Sequence, residues 1–407
     1  MRGTFVVHFS EVALKGKNRP EFVRALRRNI SRSLEGLEPQ VRLAEGRFFV
    51  SAEGPPEEIF RRLGGVFGVA WFSSASIVEP QYEKILSKVL EASRYAKGKT
   101  FKIEPRRSDK NFALSSHDLA VKLGAEVAKE TNMEVDLSNP DVSLRVDVTR
   151  GSAVVYSDKQ PGPGGLPVGT SGRVLHLFSG GIDSPVAAWL LMKRGCVPVY
   201  LHFYLAPTPQ AALESKIFRL VKLLSAYSGK STLVLLPFAE YQIATASAPG
   251  DLEPSLFRRF MRMTAEALVP RFGATAIGTG DSLSQAASQT LWNIASFDHG
   301  ASVPILRPLL TYDKEEIVSL ARKISTYDLS LEEYKDCCAI ITRHPKTRVK
   351  PELISEYARR LDFRELVLKT LDSATLASYN PVGDVTKASS LAEALPRTRS
   401  SAGKADL

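Results

Sequence analysis

The segment Val174-Leu175-His176-Leu177-Phe178-Ser179-Gly180-Gly181-Ile182-Asp183-Ser184-Pro185 constrains this chain more than any other. An apolar run of one strand's length ends at Ser179. Two glycines follow, which permit positive φ and let backbone N–H groups come close to a ligand. Ser184 is then a candidate N-cap, and Pro185 suits the first helical position. Val186 to Lys193 reads as the helix, with Gly195 as its C′ cap. Strand, glycine loop and helix N-terminus in that order make an anion-binding site. Two common versions are excluded. No Gly-Lys-Ser/Thr follows, so the loop is not a Walker A motif, and no Gly-x-Gly-x-x-Gly marks a dinucleotide site.

The loop opens a run of alternating apolar strands and helices, which predicts a doubly wound parallel α/β sheet. Its strands are expected at 174–178, 197–205, 232–237, 274–279 and 303–306. Before it stands Gln160-Pro161-Gly162-Pro163-Gly164-Gly165-Leu166-Pro167, read as a linker because Pro and Gly disfavour helix and sheet. Upstream, a strand at 4–9 leads through a turn to a helix at 21–34. Phe22, Leu26, Ile30 and Leu34 form its apolar stripe. Strands at 41–43 and 47–51 and a helix at 57–63 complete a small α+β unit. A second unit carries strands at 69–78, 100–104, 142–148 and 152–156 and helices at 82–96 and 116–131. The expected domains are therefore 1–65, 66–160, a linker 161–172, an α/β domain 173–378 and a disordered polar tail 379–407.

Composition decides what surrounds these units. Three cysteines exclude a disulfide scaffold. No apolar run approaches the roughly 18 residues of a membrane span, and Met1 to Ser10 does not read as a signal peptide. A cytoplasmic protein is expected. The net charge, 54 − 44 = +10, permits a polyanionic partner. Seven of the cations, Lys15, Lys17, Arg19, Arg24, Arg27, Arg28 and Arg32, crowd into one stretch with a single acid, Glu21. On charge alone that stretch reads as a solvated helix face.

The loop resembles the Ser-Gly-Gly-x-Asp-Ser motif of the N-type ATP pyrophosphatases, or PP-loop enzymes, which cleave ATP between the α and β phosphates to adenylate a substrate. Further segments narrow the resemblance. Gly278-Thr279-Gly280-Asp281-Ser282-Leu283-Ser284-Gln285-Ala286-Ala287-Ser288-Gln289-Thr290, Pro304-Ile305-Leu306-Arg307-Pro308-Leu309, Asp313-Lys314-x-x-Ile317 and Tyr334-Lys335-Asp336-Cys337-Cys338 resemble tRNA 4-thiouridine synthetases, a tRNA sulfurtransferase family linked also to thiamine biosynthesis. Ser10-Glu11-Val12-Ala13-Leu14-Lys15-Gly16-Lys17 is similar to that family's opening. Arg106-Arg107-Ser108-Asp109-Lys110 and Asn139-Pro140-Asp141 are similar to its THUMP RNA-binding domain.

This resemblance implies a ferredoxin-like unit, a THUMP domain and a PP-loop domain of the adenine nucleotide alpha hydrolase kind. It implies ATP contacts at Leu177, Phe178, Ser179, Gly180, Gly181, Asp183, Ser184, His202, Phe203, Arg258, Gly280 and Gln289, with Asp183 catalytic and toward Mg²⁺. Phe260 departs from the Met found after the paired basic residues in many members. Lys15, Lys17, Arg19, Arg24, Arg27, Arg28, Arg106, Arg107 and Lys110 become tRNA contacts. The implied reaction adenylates O4 of a tRNA uridine (position 8 in the family) and replaces it with sulfur. The sulfur would come from a cysteine desulfurase persulfide or free sulfide. Cys338 matches the family cysteine, with Cys337, Lys335, Arg343, His344 and Lys346 beside it in sequence. No rhodanese domain or Cys-x-x-Cys pair accompanies it. Cys196 reads as core. A homodimer fits the family. The alternative is a THUMP RNA-binding protein whose ATP site does not turn over.

Overall fold

The computed structural model describes residues 2–9, 11–96, 98–334, 337, 345–379 and 385–395. The chain divides into two compact units, Met1–Leu166 and Pro167–Leu407.

The first unit is built on one mixed sheet. Its strands are β1 (Arg2–Phe9), β2 (Gln40–Ala44), β3 (Arg47–Glu53), β4 (Val69–Val78), β5 (Thr100–Arg107), β6 (Glu134–Val135), β7 (Val142–Val148), β8 (Ala153–Tyr156) and β9 (Gln160–Pro161). The order is β2-β3-β1-β4-β8-β7-β5-β6, with β9 also on β4. The helices are α1 (Arg19–Ser33), α2 (Pro56–Leu63), α3 (Tyr82–Tyr95) and α4 (Ser116–Glu130). Strand alternation sends Phe5 and Val7 to one face, where they bury the α1 stripe of Phe22, Leu26 and Ile30. Val6 points the other way, to a cluster with Phe49, Val154 and Tyr156. There Trp71 stacks between His8 (4.0 Å) and Tyr156 (5.6 Å).

β4 joins the two units expected from sequence. Its first part pairs with β1 and its second, Ala75 to Val78, with β8. The two expected units, divided between residues 65 and 66, thus share one continuous sheet. The Pro/Gly stretch is also not a free linker. Gln160 and Pro161 pair with β4, Gly162 N–H donates to the Ala70 carbonyl, and Leu166 is buried. An edge position needs no donor from Pro161, so a proline is tolerated there.

The second unit has strands β10 (Arg173–Leu177), β11 (Val197–Tyr204), β12 (Ser231–Pro237), β13 (Ala274–Gly278), β14 (Ile305–Leu306), β15 (Thr375–Tyr379) and β16 (Val385–Ser390), in the order β14-β13-β10-β11-β12-β15-β16. Its helices are α5 (Asp183–Lys193), α6 (Pro209–Leu213), α7 (Lys216–Ser228), α8 (Ala239–Thr245), α9 (Glu253–Phe272), α10 (Leu291–Asp298), α11 (Lys314–Lys323), α12 (Tyr327–Leu331), α13 (Pro351–Arg360), α14 (Phe363–Asp372) and α15 (Leu391–Ala394). Leu175, Leu201 and Phe203 face the side of α8, α9 and α14, while Val174 packs with Leu191 of α5 on the other. From β10 to β14 every pairing is parallel, as the alternation predicted. The chain leaves β10 toward β11 and β12, then returns to β13 on its other side. The ends of β10 and β13 therefore flank the switch point where such sheets take ligands.

The tail corrects the sequence expectation. β15 pairs antiparallel with β12, β16 pairs with β15, and Leu391 is fully buried with its N–H on the Ala374 carbonyl. A short polar strand such as β16 is stable here because β15, itself paired to β12, supplies a partner for its backbone. Residues 396–407 lie outside the described part of the chain.

Candidate active site

The phosphate loop is closed on itself by serines. Ser184 Oγ accepts from Ser179 N–H (3.0 Å) and donates to the Ser179 carbonyl (2.7 Å). This replaces the expected N-cap role. Ile182 already has helical φ and ψ, so α5 starts at Asp183, and Ser184 lies inside its first turn. Below the loop, His176 Nε2–H donates to the Ser184 carbonyl (2.8 Å). Burial holds that imidazole at about 4, so it is neutral.

The two glycines serve space rather than positive φ, since neither adopts it. A Cβ on Gly180 would lie 2.7 Å from Lys216 Cε. A Cβ on Gly181 would meet nothing closer than Ser179 Oγ at 3.6 Å, so the room at Gly181 is left for something outside the protein. Gly280, at the end of β13, is pressed against the helix start, and a Cβ there would lie 3.0 Å from Ser184 N and Cα.

These elements border one cavity of about 630 Å³. Every residue that the resemblance assigned to ATP lines it, from Leu177 and Phe178 through the loop to His202, Phe203, Arg258, Gly280 and Gln289. Gln289 Oε1 is buried there without a hydrogen-bond partner in the protein, an acceptor waiting for a ligand donor. The volume, the orphaned acceptor, the glycine space and the helix N-terminus fit a nucleotide.

Asp183 stands at the loop with Lys314 Nζ on Oδ1 and Gln285 Nε2 on Oδ2, both at 2.7 Å. A carboxylate has about four lone-pair sites, so both oxygens can still accept. Among the described residues no group of three or more His, Cys, Asp or Glu side chains is placed to hold a metal. A divalent ion here would thus be shared between Asp183 and a ligand's own oxygens.

Sequence reading placed Arg258 but missed its surroundings. Its guanidinium binds Asp281 in a fork, Nη1 to Oδ1 and Nη2 to Oδ2 at 2.8 Å each, and lies 4.5 Å from the Phe297 ring centre. Arg307 Nε adds a 3.1 Å contact to Asp281 Oδ2. Asp281 is only 4% exposed. Burial alone would raise its pKa, but Arg258 and Arg307 override this and hold the carboxyl well below the usual range. The expected departure at Phe260 is absorbed in the core, where its ring stacks on Tyr241.

The cysteines separate. Cys337 lines the cavity at 1% exposure, and its S–H donates to the Phe203 carbonyl (3.1 Å). Cys196 is core as expected, and burial pushes its thiol up. Lys346 pairs with Asp251 (2.8 Å) and so has its own counter-ion. Cys338, Lys335, Arg343 and His344 lie outside the described residues.

In the first unit, Arg24, Arg27, Arg28 and Arg32 border a shallow groove beside Glu35 and Glu38. Arg24, Arg27 and Arg28 are exposed; Lys17 and Arg19 are exposed at the α1 start, and Lys15 Nζ sits 4.8 Å over the Phe22 ring. Arg106 and Lys110 are exposed near the end of β5. Arg107 is different. Its Nη1 donates to the carbonyls of Phe112 (3.0 Å) and Leu114 (2.9 Å), so it braces the loop rather than facing outward.

Comparison with known proteins matches three family models: the ThiI ferredoxin-like domain at residues 4–73, the THUMP domain at 82–158, and the thiamine biosynthesis protein ThiI at 169–363. A probable tRNA sulfurtransferase from Moorella thermoacetica is 38% identical over 95% of this chain and all of its own length. One from Geobacillus kaustophilus is 40% identical over 93% of this chain and 96% of its own. A crystal structure of a 4-thiouridine synthetase–RNA complex with bound ATP superimposes with a TM-score of 0.86 at 31% identity. It covers 93% of this chain and 100% of that one.

Proposed function

Because the chain belongs to the ThiI family of tRNA sulfurtransferases, we propose that its cavity binds ATP, adenylates O4 of a tRNA uridine and allows sulfur to replace that oxygen. The chain is an ATP-dependent tRNA uracil 4-sulfurtransferase. The observation that supports this most is the meeting of the phosphate loop, Asp183, Gly280 and Gln289 around one cavity at the sheet's switch point.

The chemistry follows from the residues. Uridine O4 attacks the α-phosphorus, the bond to the bridging oxygen breaks, and pyrophosphate leaves. The loop N–H groups and the start of α5 are donors already in place for the charge that develops. Lys314, beside Asp183, adds a cation at the same end of the cavity. Mg²⁺ carried on the phosphates would neutralise further charge, with Asp183 its protein carboxylate. Sulfur then adds to C4, the C4–O4 bond breaks, and AMP leaves carrying that oxygen. Arg258 lines the cavity with its fork held by Asp281. We assign it to shaping the base pocket.

Cys338 remains our candidate for carrying sulfur from a desulfurase persulfide, with free sulfide as the simpler donor. The family description includes thiamine biosynthesis, a second sulfur transfer that would draw on the same donor. For RNA we assign phosphate contacts to Lys15, Lys17, Arg19, Arg24, Arg27 and Arg28, with Arg106 and Lys110 at the THUMP domain. Since the substrate is tRNA, we assign the reaction to the cytoplasm. A homodimer fits this reading, and sedimentation with and without tRNA tests it. Measuring thionucleoside formation on unmodified tRNA with Mg-ATP and sulfide tests the whole. An RNA-binding protein with an idle ATP site would bind both and form none.

A further inference from the structure

One wall of the cavity carries Ser330, Tyr334 and Cys337, and hydrogen bonds fasten this stretch to the core beneath the phosphate loop. Lys216 is buried, and its Nζ donates to the carbonyls of Ser330 and Glu332, both at 2.7 Å. Arg219 pairs with the Glu332 carboxylate, Nη1 to Oε1 at 2.9 Å. Tyr334 OH lies 2.7 Å from His202 Nε2. Cys337 S–H reaches the Phe203 carbonyl. The same groups enclose the loop, because a Cβ on Gly180 would touch Lys216, Ile217 and Tyr334 Cδ1.

His202 gives the Tyr334 contact a direction. Its Nδ1 lies 2.9 Å from the Phe178 carbonyl, which can only accept. Nδ1 therefore carries the proton, and in that tautomer Nε2 accepts from the Tyr334 hydroxyl. Phe178 is the residue immediately before the phosphate loop. A single chain of hydrogen bonds thus runs from the loop's root through His202 to the wall.

We propose that Tyr334 is a positioning residue. Through His202 it holds this wall against the nucleotide cavity, and the wall keeps water from the activated uridine until sulfur arrives. The inference rests on the thiolation reading above. If water adds to C4 instead of sulfur, AMP leaves with the original oxygen and uridine is restored. ATP has then become AMP and pyrophosphate with no sulfur transferred. Tyr334 therefore acts on the yield of thiolation per ATP.

The test is Tyr334→Phe in the full-length protein, which keeps the ring and removes only the donor. Pyrophosphate and 4-thiouridine are counted together on unmodified tRNA with Mg-ATP and sulfide. Pyrophosphate released per 4-thiouridine should rise about three- to tenfold, the weight of one lost hydrogen bond. A merely structural role would slow both products alike, and an unmoved ratio overturns the proposal. If the variant fails to fold, the ¹⁵N spectrum of the wild-type imidazoles decides: His202 protonated at Nδ1 and accepting at Nε2 supports the chain of bonds, and the opposite tautomer overturns it. A wild-type protein that releases pyrophosphate without forming 4-thiouridine would instead overturn the thiolation reading, and this inference with it.

Discussion

Lys314 Nζ lies 2.7 Å from Asp183 Oδ1, joining two residues 131 positions apart at the mouth of the phosphate loop. Their side chains are partly exposed, so the pair itself contributes little to stability. In the proposed mechanism its place beside the helix N-terminus gives it a role in charge stabilisation instead. Lys314→Met should lower the rate of thiolation by about 10²-fold, the usual loss for one transition-state donor. The urea midpoint should hardly change. A variant that kept full activity would remove Lys314 from the account.

Gly280 presses on the start of α5 from the neighbouring strand end. In Gly280→Ala the new methyl would meet backbone atoms of Ser184, which cannot rotate away. The helix start must shift, and overpacking of this kind costs about 1–3 kcal/mol. ATP affinity should fall about tenfold or more, read by calorimetry, while RNA binding by the first unit stays intact. Unchanged ATP affinity would mean that the loop does not set the site.

How much of this was legible in the sequence differs between elements. The loop could be read because strand, glycines and helix start are contiguous, and most strand bounds agree within a residue or two because alternation is local. The contacts that finish the site are not local. Tyr334 and His202 stand 132 residues apart, and Lys216 and Ser330 stand 114 apart. No period or motif links them. β15 and β16 escaped notice because both are short and rich in Thr, Ser, Ala and Lys; pairing to β12 holds β15, and pairing to β15 holds β16. Arg107 and Arg106 look alike in sequence, yet one braces a loop and the other is exposed.

Acid should weaken the second unit through His176. Its imidazole titrates near 4 when folded, against an ordinary 6.5, because it is buried. Between those values the unfolded chain takes a proton that the folded chain refuses. The stability present above pH 6.5 is therefore lost as the pH falls toward 4, by about 3 kcal/mol in all. His8 in the first unit has the same sign and the same range. His176→Gln should flatten the fall of the urea midpoint over that interval while leaving the share from His8. Asp281, held far below its usual range, acts only under more acid conditions, and its contribution is present above the carboxylate range.

The arginines of α1 should separate from Arg107 by salt. If Arg24, Arg27 and Arg28 each contact one phosphate as proposed, Arg24→Ala, Arg27→Ala and Arg28→Ala should each reduce the slope of log K against log salt by about 1. Arg107→Ala should leave that slope alone. It should destabilise the first unit by about 1–3 kcal/mol, because two carbonyls lose their donor. An equal effect of all four on the slope would contradict the structural distinction.

The central claim is that this cavity activates a tRNA uridine with ATP for sulfur transfer. Nucleoside mass spectrometry of unmodified tRNA, incubated with the protein, Mg-ATP and sulfide, tests it most directly. The account predicts 4-thiouridine with the wild-type protein and none with Asp183→Ala; Cys338→Ser alongside reports whether that cysteine takes part. Wild-type protein that binds tRNA and ATP yet forms no thionucleoside, even with a cysteine desulfurase present, would contradict it.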